Sequence, residues 1–311
     1  MPAAAPDAGR ITILLCTWNG AAHLGAQLDS YLGQTGVAWD LWVSDDASSD
    51  GTRGVLQAFR DAHGADRRIV LVDGPGKGGP ANFLSLIGRP DLPPGPVALS
   101  DQDDVWMPHK LALAQAGLAR AGAVAIYGAQ SLHTDAALAV IGRSRPPHPT
   151  PGFAHALVQN AVSGHSLALS AGARSLAAQA GVPDGLPYHD WWLYQLIAGA
   201  GGDVVIDAEA VLYYRQHRGN AMGAHQGAAA TLARLGRILQ RDYGDWIATN
   251  TAALAGLEAL LTPDNRRLLA GFRALPKAGP GRVAGLARLG IHRQGWAATV
   301  GLWLAAAVGR V

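Results

Sequence analysis

The chain has 311 residues, of which 49% are hydrophobic and 15% are charged, and its formal net charge is +2. These proportions supply a buried core and exclude an intrinsically disordered protein. The one cysteine, Cys16, excludes an internal disulfide, and residues 1–9 lack the basic and apolar segments of a signal peptide, so we expect a cytoplasmic protein.

Strands and helices are predicted to alternate in the first hundred residues. Apolar runs predict strands at 10–16, 39–43, 68–72 and 97–99, and helical spacing predicts helices at 22–32, 52–62 and 80–87. This alternation predicts an α/β fold with a parallel sheet and right-handed crossovers. Such sheets bind ligands at the carboxyl ends of their strands, so the loops there form the candidate site.

The middle of the chain is less regular. We predict a helix from Pro108 to about Ala121, a strand at 123–127, a proline-rich loop at 143–152, a turn into a strand within 160–169, a helix at 187–198, and strands at 203–207 and 210–214. From residue 228 the pattern becomes helical and alanine-rich. Residues 231–311 contain 11 Lys or Arg and 4 Asp or Glu, which predicts a basic C-terminal extension with a functional surface of its own.

Acidic residues follow two of the predicted strands. Asp45 and Asp46 follow the second strand, and Asp101, Asp103 and Asp104 follow the fourth. Carboxylates this close repel one another unless a cation offsets their charge. Two residues apart on an extended chain, Asp101 and Asp103 point to the same side and suit Mg²⁺ or Mn²⁺. The alternative is an acidic turn in which Asp104 caps the next helix.

Several short motifs occur together in this order. They are Thr17-Trp18-Asn19-Gly20, Ser44-Asp45-Asp46 with Asp50-Gly51-Thr52, Ser100-Asp101-Gln102-Asp103-Asp104-Val105-Trp106, Asp190, and Tyr214-Arg215-Gln216-His217. With these motifs the first 220 residues resemble the family-2 glycosyltransferases, in particular the rhamnosyltransferase-like branch. The resemblance implies a GT-A, Rossmann-like fold, with a mostly parallel sheet flanked by helices over residues 1–225 and a helical extension over 226–311.

The resemblance also implies an activity. It is the inverting transfer of a sugar, with rhamnose as a candidate, to a glycan or lipid-linked acceptor in the synthesis of a surface glycan. The donor would be dTDP- or UDP-linked, and no nucleic-acid partner is expected. Asp190 matches the catalytic aspartate that deprotonates the acceptor. The alternative for Asp190 is that it only caps the helix that follows it.

The remaining site residues follow from the same resemblance. The donor would contact Thr17, Asn19, Asp45, Asp46, Lys77, Asn82 and Asp101. The ion, Mg²⁺ or Mn²⁺, would be held by Asp101 and Asp103 of the Asp-x-Asp motif and by His217. The acceptor would meet Trp191, Trp192 and His165, because an indole ring can stack on the face of a sugar.

Two other functions are consistent with parts of the sequence. Residues 74–79 satisfy the pattern G-x-G-x-x-G, which in a nicotinamide-dependent oxidoreductase binds the cofactor pyrophosphate. This loop follows the third predicted strand and contains Pro75, so the interpretation as a flexible loop beside the donor is preferred. The second alternative is a GT-A-shaped module that binds glycan or membrane without turnover.

The C-terminal segment 295–309 is apolar and contains Trp296 and Trp303. It is shorter than the roughly 20 residues that a membrane-spanning helix needs. Basic side chains flank it at Arg288, His292, Arg293 and Arg310. Two interpretations remain open: a helix lying on an anionic membrane surface, and a helix packed back on the catalytic domain.

Overall fold

Strands and helices alternate along the chain in the computed structural model, which describes residues 9–146, 151–216 and 241–311. The strands of these residues are β1 (Arg10–Thr17), β2 (Ala38–Asp45), β3 (Ile69–Asp73), β4 (Val97–Ser100), β5 (Val105–Trp106), β6 (Ala125–Thr134), β7 (Val140–Arg143), β8 (Ala168–Leu169) and β9 (Asp203–Arg215). The α-helices are α1 (Ala21–Leu32), α2 (Thr52–His63), α3 (Gly79–Ile87), α4 (Lys110–Ala119), α5 (Phe153–Ala156), α6 (Ala171–Ala180), α7 (His189–Gly199), α8 (Arg241–Gly256), α9 (Pro263–Arg273), α10 (Pro280–Arg288) and α11 (Trp296–Ala307).

One sheet runs through the molecule in the order β3-β2-β1-β4-β8-β6-β9-β5, with β7 paired to β6. The pairs β2–β3, β1–β2 and β1–β4 are parallel, as the alternation of strands and helices predicted. The β6–β9 pair is also parallel, whereas β8, β5 and β7 add antiparallel pairs. The carboxyl ends of β1, β2 and β4 therefore meet at one edge.

Strand β1 is buried on both faces because apolar side chains occupy both of its alternating sets. Leu14 and Cys16 belong to a core cluster that also holds Phe83 of α3 and Trp192 of α7. Ile13 and Leu15 belong to a second cluster on the other face, together with residues of α1, α2 and α4. Helices thus cover both faces of the sheet, which is the layer arrangement of α/β folds.

The structure differs from the predicted elements in several places. The two strands predicted at 203–207 and 210–214 form the single strand β9, because pairing with β6 continues across register shifts beside Gln130. The helix predicted from Pro108 begins at Lys110, because the preceding Val105–Trp106 pairs with β9. Helix α6 was not predicted; its N-cap is Ser170, whose hydroxyl accepts from the amide of Ala173.

The C-terminal helices pack against α7. The ring of Tyr243 in α8 stacks on Trp191 with centroids 5.9 Å apart, and the amide of Asn265 in α9 donates to the carbonyl oxygens of Ala198 and Gly199. The predicted domain boundary at residue 225 lies outside the described residues and stays a prediction. Within the described ranges, no helix combines the length and the apolar character required to cross a membrane.

Candidate active site

The two acidic clusters flank the carboxyl end of β1. In the parallel register Thr17 of β1 lies opposite Asp45 of β2, and Leu15 lies opposite Ser100 of β4. Burial raises the pKa of the Cys16 thiol between them, and the carboxylates of Asp101 and Asp46 raise it further. One buried thiol is therefore within electrostatic range of both clusters, which supports a single site at this edge.

The Asp101–Asp104 segment leaves β4 and turns into the interior. Asp104 is completely buried; its Oδ1 accepts from the backbone amide of Arg215 at 3.2 Å. Its Oδ2 is buried and has no hydrogen-bond partner among the residues that the structure describes. The alternative in which Asp104 caps a helix is wrong, because α4 begins at Lys110 and its N-cap residue is His109.

Lys110 is buried beside these carboxylates. Its Nζ lies 3.7 Å from the ring centroid of Trp106 and donates to the carbonyl oxygen of His165. Burial lowers the pKa of Lys110 to about 7, against the opposing effect of Asp104 and Asp101. Lys110 thus places a buried amine beside the acidic cluster.

Asp190 faces the same cluster from the start of α7. Its Oδ1 accepts from the amide of Trp191 at 2.7 Å and its Oδ2 from the amide of Gly164 at 2.9 Å. Burial raises the pKa of Asp101 to about 7, and Asp103 and Asp190 contribute in the same direction. Asp190 is therefore near the Asp-x-Asp motif, with its carboxylate oriented by two backbone amides.

The two tryptophans after Asp190 belong to the core. Trp191 is 3% exposed and donates from Nε1 to the carbonyl oxygen of Ala156, and Trp192 is fully buried. The prediction that they stack on an acceptor sugar is wrong for this structure, because neither ring has a face open to solvent. Trp18, which is 62% exposed, is the aromatic side chain at the site that the sequence reasoning missed. Its position directly after the first strand was the available signal.

The carboxylate of Asp45 is occupied by protein donors. It accepts from the hydroxyl of Thr17 at 2.8 Å, from the amide and hydroxyl of Ser48, and from Nε of Arg53 at 2.8 Å. Burial acts to raise the pKa of Asp45, but these hydrogen bonds outweigh it and hold the pKa below its usual value. Asp45 therefore stays ionised and ties β1 to the start of α2.

Asp46 holds the glycine loop that follows β3. Its two oxygens accept from the amides of Gly76 at 2.6 Å and Gly78 at 2.7 Å. These amides are consequently not free for a cofactor pyrophosphate, as the dinucleotide interpretation requires. Lys77, between the two glycines, is exposed.

Two further predicted donor residues make internal contacts. Asn82 is buried and exchanges hydrogen bonds with Ser44, accepting from its hydroxyl at 2.5 Å and donating to its carbonyl oxygen at 3.0 Å. Asn19 has a φ of 47° and accepts from the amide of Ser49 at 2.8 Å. Asn82 fixes α3 against β2, and Asn19 joins the loops after β1 and β2.

His165 lies at the acidic cluster. Its ring stacks on Tyr214 with centroids 4.6 Å apart. One ring nitrogen of His165 and one carboxylate oxygen each from Asp101 and Asp104 lie within 4.8 Å of one another, a grouping able to hold a metal ion. The predicted ligand His217 lies outside the described residues.

Comparisons with known proteins show similarity in sequence and in fold. Residues 12–150 match the family described as glycosyl transferase family 2. The chain is 25% identical over 251 residues to the dTDP-rhamnosyl transferase RfbG of Shigella flexneri, covering 78% of this chain and 84% of that protein. It is 31% identical over 104 residues to the UDP-Glc:alpha-D-GlcNAc-diphosphoundecaprenol beta-1,3-glucosyltransferase WfgD of Escherichia coli, covering 32% and 38%.

Two solved structures share the fold. S. aureus TarS 1-349 in complex with UDP-GlcNAc matches with a TM-score of 0.53 and 13% identity over 90% of each chain. The mannosyltransferase PcManGT from Pyrobaculum calidifontis, in complex with GDP-Man and Mn²⁺, matches with a TM-score of 0.52 and 20% identity, covering 92% of this chain and 88% of that one. At these identities the likeness shows the fold alone.

Proposed function

We propose that this chain, which matches glycosyl transferase family 2 over residues 12–150 and has the GT-A fold, is a sugar-transferring enzyme. Its substrate in this proposal is a deoxyhexose such as rhamnose on a dTDP- or UDP-linked donor. The acceptor is a glycan or a lipid-linked sugar of a surface polysaccharide. The name of the relative RfbG, a dTDP-rhamnosyl transferase, supports this choice of donor. The GT-A likeness of a structure that contains UDP-GlcNAc supports a nucleotide-linked sugar.

The alternatives weighed from the sequence are set aside. The family match and the fold favour a transferase over a nicotinamide-dependent oxidoreductase and over a module without turnover. The amides of Gly76 and Gly78 donate to Asp46, so they are not available to bind the pyrophosphate of a nicotinamide cofactor, which argues against the oxidoreductase.

The observation that carries the proposed mechanism is the position of Asp190, close enough to Asp101 to affect its ionisation and held by the amides of Gly164 and Trp191. We assign Asp190 as the general base. The acceptor hydroxyl gives its proton to Asp190 while its oxygen bonds to the anomeric carbon. The bond from that carbon to the diphosphate breaks, and the nucleoside diphosphate leaves with the electron pair. A single displacement of this kind inverts the anomeric configuration.

A divalent ion, Mg²⁺ or Mn²⁺, fits the residues of this site. Asp101 and Asp103 of the Asp-x-Asp motif would hold it. A buried oxygen of Asp104, which no donor in the described part of the chain reaches, supports the presence of a cation nearby. When bound, the ion neutralises negative charge on the leaving diphosphate. The likeness in fold to a mannosyltransferase that contains GDP-Man and Mn²⁺ is consistent with this assignment.

The donor lies across the ends of β1 and β2 in this proposal. Thr17 and Asp45 shape the floor of the nucleotide pocket through their mutual hydrogen bond of 2.8 Å. Asp46 fixes the glycine loop, which presents the exposed ammonium of Lys77 to the diphosphate. The exposed ring of Trp18 provides a stacking surface for a base or a sugar.

The last helix supports a peripheral membrane contact. Its inner face, which includes Leu302 and Ala305, is buried against the protein. The opposite face carries an apolar stripe, defined here as Trp296, Val300, Leu304 and Val308, which are four residues apart. Trp296, Leu304 and Val308 are 80%, 62% and 63% exposed. Together with the excess of basic residues in this part of the chain, the stripe suits the surface of an anionic membrane.

Replacement of the general base tests the mechanism. We expect Asp190→Asn to lower sugar transfer by at least about a hundredfold, because general-base catalysis contributes about 10²–10⁴. Binding of UDP or dTDP with Mn²⁺, measured by thermal shift, should be retained. The control is Asp184→Asn, at an exposed aspartate of the loop before α7, which should transfer sugar at the normal rate. Normal transfer by Asp190→Asn would refute the assignment.

A further inference from the structure

Three side chains at the acidic cluster bring together atoms that could coordinate a metal ion. Oxygens of Asp101 and Asp104 and a ring nitrogen of His165 converge within 4.8 Å. Two buried atoms of these residues, Oδ2 of Asp104 and Nε2 of His165, have no hydrogen-bond partner among the residues described. Asp103, the second residue of the motif, is not part of the convergent set.

A buried carboxylate oxygen without a donor is costly, by about 1–3 kcal/mol and more when the group is charged. Asp104 is completely buried, so bulk water does not solvate this oxygen. The arrangement is accounted for if a cation completes it. Mixed carboxylate and imidazole ligands suit transition-metal ions better than Mg²⁺, because Mg²⁺ strongly prefers oxygen.

We propose that Asp101, Asp104 and His165 form an inner cation position, which binds a divalent transition-metal ion without nucleotide. Three protein ligands support binding before the donor arrives, whereas an ion at the Asp-x-Asp motif depends on the diphosphate for further ligands. The inference rests on the proposed function in one respect, since Asp101 is shared by both positions.

Lys110 limits how tightly this position binds. Its ammonium group is held by the carbonyl oxygen of His165 and by the ring of Trp106, so it stays close to the ligands. In its protonated form this group repels an incoming cation and partly neutralises Asp101 and Asp104. Removal of this charge should therefore strengthen ion binding.

Nucleotide-free Mn²⁺ binding tests the inference, measured as the loss of the free Mn²⁺ signal in electron paramagnetic resonance. We expect about one ion per chain, and affinity at least about tenfold lower in His165→Gln and in Asp104→Asn. The matched control is His63→Ala, because His63 lies in the last turn of α2, at the opposite edge of the sheet. Its Mn²⁺ affinity should equal that of the wild type.

Lys110→Met should change the Mn²⁺ affinity in the opposite direction. Its Mn²⁺ affinity should rise about tenfold, a gain that unfolding cannot produce. The inference is overturned if the wild type binds no Mn²⁺ without nucleotide, or if His165→Gln and Asp104→Asn bind it normally. Mn²⁺-dependent binding of UDP or dTDP would in that case still support the proposed function, and loss of binding under all conditions would overturn both.

Discussion

The aspartates of the active site differ in how far the protein itself satisfies their oxygens. Asp45 accepts four hydrogen bonds and Asp46 accepts two, so both are committed to holding loops. Asp104 retains a buried oxygen without a donor among the described residues. The sequence could predict that these side chains gather at one edge. It could not distinguish the aspartates whose oxygens are satisfied from Asp104, because the donors that reach each carboxylate depend on how the loops after β1, β2 and β3 fold together.

Gly164 is the residue at which a single methyl group should disturb the base. A Cβ there would lie 2.9 Å from Nε2 of His189 and 3.5 Å from Cβ of Asp190. We expect Gly164→Ala to lower transfer at least about tenfold, since small misplacements of catalytic groups are costly. Steady-state kinetics and nucleotide binding should separate: the rate falls while the affinity for UDP or dTDP stays unchanged.

Gly25→Ala is the matched control for this substitution. A Cβ at Gly25, inside α1, meets no atom within 4 Å. Alanine should there stabilise the protein by up to about 1 kcal/mol, because it favours helix more than glycine does. Parallel losses of rate and nucleotide affinity in Gly164→Ala would indicate general damage and contradict a specific effect on Asp190.

Asp101 should impose a pH dependence on the stability of the ion-free protein. Its pKa is raised to about 7 in the folded state, against about 3.9 in an unfolded chain. The folded state therefore binds the extra proton, and the contribution of Asp101 to stability is full below about pH 4 and is lost as the pH rises towards 7.

Thermal unfolding of wild type and Asp101→Asn from pH 4 to 7 measures this contribution. The wild-type Tm should fall relative to that of the variant as the pH rises, and saturating Mn²⁺ should reduce the fall. A constant difference between the two proteins across this range is the contrary result.

At the scale of whole elements, helix boundaries were predictable where local signals are strong. Helix α1 was predicted at 22–32 and begins at Ala21, and α2 was predicted at 52–62 and ends at His63. A strand was predicted within 160–169, and β8 lies there, whereas the two-residue strand β5 could not be predicted because only its pairing with β9 defines it. The burial of Trp191 and Trp192 likewise could not be predicted locally, because it depends on packing against α8 and the α5 region, which lie elsewhere in the sequence.

The apolar stripe on α11 should govern binding to anionic vesicles. We expect the double variant Trp296→Ser, Leu304→Ser to bind vesicles containing phosphatidylglycerol at least about tenfold more weakly than the wild type, because two exposed apolar side chains no longer enter the lipid. A sedimentation assay with such vesicles measures this loss.

The control for the stripe is Ile141→Ser, which removes an apolar side chain that is 51% exposed but belongs to β7 and not to α11. It should bind the same vesicles as tightly as the wild type does. About 0.5 M NaCl should weaken vesicle binding by both proteins. Equal binding by the double variant and the wild type would exclude the stripe as the membrane contact.

For the molecule as a whole, the order of strands and helices in the first hundred residues was sufficient to predict an α/β fold with its site at the carboxyl ends of the strands. The GT-A assignment came from motifs, and the family match and the fold confirm it. The second half of the sheet, which mixes parallel and antiparallel pairs, could not be predicted. Its antiparallel pairs join segments that are far apart in the sequence; in β4–β8, for example, Val97 lies opposite Leu169.

The packing of the C-terminal helices on α7 has a practical consequence for anyone who shortens this protein. A fragment that stops after α7 but before residue 241 would expose the ring of Trp191 and the carbonyl oxygens that Asn265 now covers. Trp191 is adjacent to Asp190, whose carboxylate its amide orients. Such a fragment would lose part of the packing next to the proposed base, so a shortened form should keep at least α8 and α9.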